Sequence, residues 1–182
     1  GRGMSYKYVG KPTPRKEDPK LLTGRAGYIG DVVVPGMLHA AVLRSPHAHA
    51  RIRSIDASAA RALPGVVCVL TGAEALDHIG PMAAFCAEPV PQTAIATEKV
   101  RYPGEAVAVV AATDRYVAED ARALIVVDYE VLEPVVDPIA AMGPDAARVH
   151  DTLDSNVVFH RSLDFGDVEG VDAVVAWMDR AL

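Results

Sequence analysis

The hydrophobic pattern from Val100 to Asp137 predicts a strand, a helix and a second strand in succession. Residues 106–111 are all Ala or Val and follow a Pro-Gly turn, which favours a strand that is covered on both faces and is therefore central in its sheet. From Ile125 to Val131 apolar and acidic positions alternate, so the second strand should have one face in solvent, and Pro134 should end it.

The helix between these strands has a clear start signal. Thr113 and Asp114 precede it, and their side-chain oxygens can accept hydrogen bonds from the first free amides of a helix. Three apolar residues then recur at helical spacing: Val117, Ala121 and Leu124. The pattern predicts a helix that buries this one stripe.

An earlier part of the chain shows the same order of elements. A first strand is predicted over Met37–Leu43, and a second unit consists of a strand Ala50–Ile55, a short helix Ala57–Leu63 with Asp56 as N-cap, and a strand Val66–Leu70. The expected fold class is therefore α/β in the broad sense, or α+β, with two strand-helix-strand units in a mixed sheet. The connection from Asp56 to Gly65 is so short that it leaves open whether the strands of this unit run parallel.

The remaining segments carry weaker signals. Gly72–Thr97 is rich in Gly, Pro and Ala and is predicted to be loops, whereas Tyr6–Lys20 carries three prolines and is predicted to be an extended arm. Val168–Leu182 has an apolar stripe at helical spacing and is predicted to be a helix.

Five sequence blocks, in order, resemble the first domain of a known enzyme family. They are KPTPRKEDPKLLTG from Lys11, PGMLHAAVLRSPHAHARIRSID from Pro35, ALPGVVCVLTG from Ala62, the segment Val100–Asp137, and NVVFHRSLDFGD from Asn156. The chain is similar to the α/β hammerhead domain at the N-terminus of the large molybdenum subunit of the xanthine dehydrogenase, aldehyde oxidase and carbon monoxide dehydrogenase family.

The sequence pattern and the resemblance together give a division of the chain, and the resemblance implies a set of cofactors. Residues 1–20 would be an expression scar and the extended arm, 21–140 the hammerhead domain, and 141–182 a linker and the start of the molybdenum-cofactor-binding region. The complete enzyme would oxidise an aldehyde, a purine or another N-heterocycle, or carbon monoxide at a molybdopterin-type molybdenum cofactor. Iron-sulfur clusters and FAD would lie on other domains or subunits.

In the family that this chain resembles, the cofactor ligands and the catalytic glutamate lie beyond this domain. The resemblance therefore assigns no catalytic, cofactor-binding or metal-binding residue to residues 1–182. The first hypothesis is therefore a scaffold and subunit-docking domain that is inactive alone. Its partners would be the remaining molybdenum-binding domains and the flavin and iron-sulfur subunits. The alternative is a free-standing interaction module without chemistry, which a natural stop after Leu182 would favour.

Charge and cysteine content exclude several other classes. A formal net charge of −6 and a pI near 5.5 argue against a nucleic-acid partner, which would need a basic surface. Neither a membrane span nor a signal peptide is recognisable, so a cytoplasmic protein is expected. Cys68, in a strand predicted to be buried, and Cys86, in a loop, are too few for a disulfide framework or a four-cysteine cluster.

Histidines and glycines suggest two sites that we weigh against simpler interpretations. His47 and His49 would share one side of a strand, and His39 and Asp31 could complete a metal site, but Pro46 disturbs the strand and ligand spacing is poor. His150 and His160 are isolated. GRAGYIGD, residues 24–31, lacks the spacing of a dinucleotide fingerprint, so a turn leading into a hairpin is predicted instead.

Apart from Glu105, the carboxylates of the best-matched block are predicted to be solvated: Asp114, Glu119, Asp120, Asp128 and Glu130. Glu105 is the exception, because the Pro-Gly turn places it at the start of the central strand. There its carboxylate can accept backbone amides or pair with Arg101, so we predict a contact that stabilises the fold. Arg44 and Tyr102 are candidates for contacts with another domain or subunit.

A domain that normally contacts neighbours should expose apolar surface when it is alone. We predict that light scattering on the purified chain will show a dimer or larger species whose fraction rises with concentration. A strictly monomeric result at high concentration would count against large buried contacts on this domain.

Overall fold

The structure is a computed structural model that describes residues 7–82, 90, 92–160, 170–172 and 174–175. The chain divides into two compact units, Gly1–Met37 and Leu38–Leu182. The strands of the described part are β1 (His39–Arg44), β2 (Ala50–Asp56), β3 (Val66–Thr71), β4 (Lys99–Val100), β5 (Ala106–Ala112) and β6 (Val126–Val131). The helices with defined bounds are α1 (Asp18–Leu22), α2 (Ser58–Ala62), α3 (Gly72–Leu76), α4 (Arg115–Ala123) and α5 (Pro138–Ala141).

The first sheet is built around β5, as its unbroken Ala and Val content predicted. Its strand order is β1-β5-β3, and both neighbours run antiparallel to β5. Val107, Ala108, Val110 and Ala112 are fully buried, so β5 is covered on both faces at most positions. The prediction of a central strand is confirmed.

The second sheet has the order β4-β2-β6, again with antiparallel pairs. On β6, Val127 and Tyr129 are half-buried while Asp128 and Glu130 are exposed, as predicted, but Val131, which was expected on the covered side, is exposed. The α/β class is also confirmed, but the expected mixed sheet is wrong for the described residues. The two strands of each strand-helix-strand unit belong to different sheets, so neither unit forms a parallel pair.

Helix α4 packs on the first sheet and is capped as expected. The Asp114 side chain accepts hydrogen bonds from the amides of Tyr116 and Val117 at 2.8 and 3.4 Å. The residues it buries are Ala118 and Ala121, whereas Leu124 lies past its end and is exposed. Alanines allow a close approach, and Ala121 joins Ala60 of α2, Ala108 and Val110 in the main hydrophobic core.

Helix α3 is a correction to the loop predicted over Gly72–Thr97. Thr71 starts it, because the Glu74 carboxylate accepts from the Thr71 amide at 2.9 Å and from its hydroxyl at 2.8 Å. Arg61 of α2 reaches across to Glu74 and also donates to the Val69 carbonyl of the edge strand β3 at 3.2 Å. This contact occupies a strand-edge acceptor that would otherwise face solvent.

The structure bears differently on the predictions for Cys68, Cys86 and the segment 24–31. Cys68 lies in β3 as expected but is exposed, because β3 is an edge strand and the register shifts between Val66 and Cys68. Cys86 lies outside the described residues. The segment 24–31 ends in a 3₁₀ turn, Ile29–Asp31, and no strand follows it within residues 32–37, so the hairpin is wrong.

The two ends of the chain are described only in part. The unit Gly1–Met37 contains α1 within its described residues, and no residue of 7–37 is buried. The arm predicted over 6–20 is therefore partly helical from Asp18. The helix predicted over 168–182 falls mostly outside the described residues, although 170–172 and 174–175 are helical.

Gly72 provides a test of how tightly α3 packs. A Cβ built at this position would lie 2.0 Å from the backbone oxygen of Ala96, which cannot move as a side chain would. Gly72→Ala should therefore lower the free energy of unfolding by about 1–3 kcal/mol, although alanine normally favours a helix. Gly80→Ala is the matched control, because nothing lies within 4 Å of its Cβ, and it should change stability by less than about 0.5 kcal/mol. Equal denaturation midpoints for the two variants would contradict this packing.

Candidate functional site

The second sheet carries a row of charged side chains across its three strands. Lys99 of β4 pairs with Arg51 of β2, and Arg51 pairs with Glu130 of β6. Two cations directly opposite each other on neighbouring strands repel. The sheet therefore needs an additional negative charge at its β4 edge.

Asp151 supplies that charge from a distant part of the chain. The Lys99 side chain is only 2% exposed, and its Nζ donates to Asp151 Oδ1 at 2.9 Å and to the Arg148 carbonyl at 3.1 Å. The other oxygen of Asp151 accepts from Arg51 Nη2 at 3.3 Å. One carboxylate thus bridges both cations, and the hydrogen bond from Lys99 is the main reason that the pKa of Asp151 lies below its usual range.

Residues 148–156, which we call the strap, are held against β4 by further bonds. Arg101 Nε donates to the Val149 carbonyl at 3.2 Å, and the Val149 amide donates to Asn156 Oδ1 at 2.9 Å. The Asn156 amide group in turn donates to the carbonyls of Ala141 and Ala147. The strap is therefore fixed by side chains rather than by a strand ladder.

A cleft of about 440 Å³ lies beside the strap, and polar side chains line most of it: Gln92, Thr93, Arg101, Tyr102, Glu105 and His150. Glu105 Oε2 accepts from the Arg101 amide at 2.6 Å, which confirms the contact predicted for Glu105. Tyr102 is exposed, and Arg44 donates to the Gly104 carbonyl at 2.8 Å. Contacts of Arg44 and Tyr102 with another domain or subunit stay a prediction.

His150 is a titratable group of this cleft whose pKa is shifted by its environment. Burial lowers the pKa of His150 below its ordinary value, and the charges of Arg101 and Lys99 lower it further, while Asp151 opposes them. The imidazole is thus held in its neutral form at neutral pH.

The histidines considered for a metal site have other roles in the structure. His49 is buried and its Nδ1 lies 2.6 Å from the Glu133 carbonyl oxygen, whereas His47 packs edge-on against the Tyr129 ring with centroids 5.0 Å apart. Asp31 accepts from the Tyr28 amide within the N-terminal unit. No group of three or more His, Cys, Asp or Glu side chains among the described residues is arranged to hold a metal ion.

Sequence reasoning missed the contact between Lys99 and Asp151. The two residues are 52 positions apart, and Asp151 follows the last predicted strand in a segment without periodicity. No local signal marked Lys99, because residues 97–101 are mostly polar and do not predict a buried strand.

The described strands thus form two antiparallel sheets, which are accompanied by short helices. The sequence profile of the aldehyde oxidase and xanthine dehydrogenase a/b hammerhead domain matches residues 23–133, more than half of the chain. The chain belongs to this family. No helix among the described residues is long and apolar enough to cross a membrane.

Three relatives illustrate the match. The carbon monoxide dehydrogenase large chain of Afipia carboxidovorans is 41% identical over 96% of this chain and 23% of its own length. The nicotine 6-hydroxylase large subunit of Paenarthrobacter nicotinovorans is 42% identical over 88% of this chain and 20% of its own. The crystal structure of quinoline 2-oxidoreductase from Pseudomonas putida 86 is 46% identical and superposes with a TM-score of 0.76 over 85% of this chain and 20% of that chain. The chain thus spans about a fifth of the length of these relatives.

Removing the Asp151 carboxylate should weaken the domain measurably. Asp151→Ala leaves the buried ammonium of Lys99 with one carbonyl acceptor, so we expect a loss of about 1–2 kcal/mol in the free energy of unfolding. Asp154→Ala is the control, because Asp154 is exposed and makes no hydrogen bond or ion pair with the described residues. If urea denaturation places both variants at the wild-type midpoint, Asp151 does not hold the strap.

The same carboxylate should give a pH signature. A folded-state pKa below the ordinary value of 3.8 means that Asp151 stabilises the fold above that value and that this contribution disappears as the pH falls through the folded pKa. The stability difference between wild type and Asp151→Asn should therefore be constant above about pH 5 and shrink below it. Denaturation curves at a series of pH values measure this difference, and a gap that widens in acid would contradict the ion pair.

Proposed function

We propose that this chain is the N-terminal scaffold and docking domain of the large subunit of a molybdenum hydroxylase. The observation that carries the proposal is that the hammerhead profile matches residues 23–133 while the whole chain spans only about a fifth of its large-subunit relatives. In the complete enzyme the domain would support the domains that carry the active site and would not contact the substrate itself. That enzyme would oxidise a carbon centre in an aldehyde, an N-heterocycle or carbon monoxide.

The chemistry of the described side chains supports a role without catalysis. A molybdopterin-type cofactor would supply the oxidation chemistry, but the described acidic, histidine and cysteine side chains do not converge on a common point. The carboxylates at 105 and 151 are engaged by the Arg101 amide and by Lys99 and Arg51. These residues do not fit a cofactor site, so we assign the cofactor to other domains of the large subunit and the iron-sulfur clusters and FAD to other domains or subunits.

The open face of the first sheet is the surface that we assign to docking. Helices α2 and α4 pack on the sheet. On the side that includes Val42, Leu70 and Val109, an apolar groove of about 500 Å³ is lined also by Ala75 and Ile79 of α3 and its following turn. Exposed apolar grooves of this kind are typical of interaction sites. We assign its occupant to the remaining molybdenum-binding domains, because most of the length of the large-subunit relatives lies outside the matched region.

The location of the enzyme is part of the same proposal. Only two cysteines occur in the sequence, and Cys68 is an exposed free thiol. This cysteine content is consistent with a reducing compartment, so we propose a cytoplasmic enzyme.

Elemental analysis and activity assays on the purified chain test the scaffold proposal. We expect no stoichiometric molybdenum and no turnover of an aldehyde, a purine, quinoline or carbon monoxide, because the proposal places the cofactor ligands on other domains of the large subunit. Intact quinoline 2-oxidoreductase, assayed in parallel with quinoline, is the positive control. Stoichiometric molybdenum together with turnover by the 182-residue chain would overturn the proposal.

A further inference from the structure

Four of the described strands lie at the edge of a sheet: β1, β3, β4 and β6. A free strand edge presents unpaired backbone groups that can pair with a strand of another molecule, and charged side chains on the strand normally discourage this pairing. Strand β1 carries Arg44, β6 carries Asp128 and Glu130, and β4 has only two residues, one of which is Lys99. Strand β3, with the sequence VVCVLT, carries no charged residue.

The composition and exposure of β3 favour pairing with another strand. Val67 is 56% exposed, and Cys68 is also exposed. An uncharged segment of six residues with high strand propensity and without proline or glycine is the kind of sequence that pairs with copies of itself. The sequence of β3 therefore supplies no protection of its own edge.

Side chains from the two neighbouring helices occupy that edge instead. Arg61 of α2 donates from Nη2 to the Val69 carbonyl at 3.2 Å, and Glu74 of α3 accepts from the Thr71 amide at 2.9 Å. Val69 and Thr71 are two residues apart, so their backbone groups point to the same edge of the strand. Strand β5 is the one described neighbour of β3 in its sheet, so an incoming strand would have to use the edge that Arg61 and Glu74 occupy.

Arg61 and Glu74 also form an ion pair with each other, which joins the two edge contacts into one bridge. Their side chains are 46% and 42% exposed, and an ion pair this exposed contributes little to the free energy of unfolding. The consequence of the bridge is therefore local: an incoming strand must displace it before it can reach the backbone groups of Val69 and Thr71.

We propose that the Arg61–Glu74 pair is a guard that prevents the β3 edge from pairing with the β3 edge of a second copy of this chain. The second copy is the partner that the sequence favours, because two identical uncharged strands in antiparallel contact bring no unpaired charge together and are related by a two-fold axis. The guard replaces the charges that β1 and β6 carry themselves. This inference does not require the proposed function.

Light scattering and cross-linking of the 182-residue chain test the guard. All proteins carry Cys86→Ser, so that Cys68 is the one thiol of the sequence. Arg61→Ala frees the Val69 carbonyl, and we expect the association constant for dimers to rise at least about fourfold, because each copy in a two-fold dimer regains about one backbone hydrogen bond. A short bismaleimide should also join Cys68 to its counterpart faster than it does without the Arg61 substitution.

Arg115→Ala is the matched control, because it removes the same charge from an exposed position of α4. It should leave the association constant and the cross-linking rate unchanged. Both substitutions make an acidic chain more acidic, which disfavours association, so an increase in Arg61→Ala cannot arise from the change in net charge. Equal values for Arg61→Ala and Arg115→Ala would overturn the guard.

A second substitution separates edge pairing from association of unfolded chains. A lysine on an edge strand blocks pairing, so Val67→Lys added to Arg61→Ala should return both measurements to the values found without the Arg61 substitution. An increase that persists in this double variant would also overturn the guard.

If circular dichroism shows that Arg61→Ala does not fold, Glu74→Gln takes its place. Glutamine can still accept from the Thr71 amide but leaves Arg61 without an ionic partner. Its matched control is Glu119→Gln, which breaks the exposed ion pair with Arg122 on α4. Faster cross-linking of Cys68 in Glu74→Gln than in Glu119→Gln supports the guard, and equal rates refute it.

Discussion

The buried ammonium group of Lys99 is the constraint on which the second half of this domain depends. A lysine that is 2% exposed cannot remain charged without a partner, and Asp151 and the Arg148 carbonyl are its acceptors. Both lie outside residues 23–133, the range that matches the family. The folded unit therefore extends beyond the hammerhead profile to include the strap, which also neutralises the repulsion between Lys99 and Arg51.

Local sequence pattern predicted five of the six described strands and their order along the chain, but it missed β4 and did not predict which strands pair. The unbroken Ala and Val run at 106–111 indicated a central strand because only a strand covered on both faces needs no polar side. The connection between β2 and β3 suggested neighbours in one sheet, yet these strands belong to different sheets. Pairing depends on which apolar faces meet in the core, and residues from both sheets, such as Val110 and Ile55, meet there.

The same contrast between local and long-range contacts explains which contacts of the site could be predicted from the sequence. The Glu105 contact joins two residues only four positions apart in one turn, so it could be predicted from the local sequence alone. The partner of Lys99 lies 52 positions away, and the burial that makes it necessary exists only after β4 pairs with β2. Cys68 lies in the predicted strand but is exposed rather than buried, since strand propensity does not distinguish an edge strand from a central one.

A double-mutant cycle between Lys99 and Asp151 tests this account most directly, using Lys99→Met, Asp151→Ala and the combined variant. If the buried ammonium is what requires the carboxylate, the double variant should be more stable than Asp151→Ala alone, because methionine leaves no unpaired charge. We predict a coupling free energy above about 0.5 kcal/mol from urea denaturation at pH 7. Additive effects of the two substitutions would contradict the central role of this ion pair.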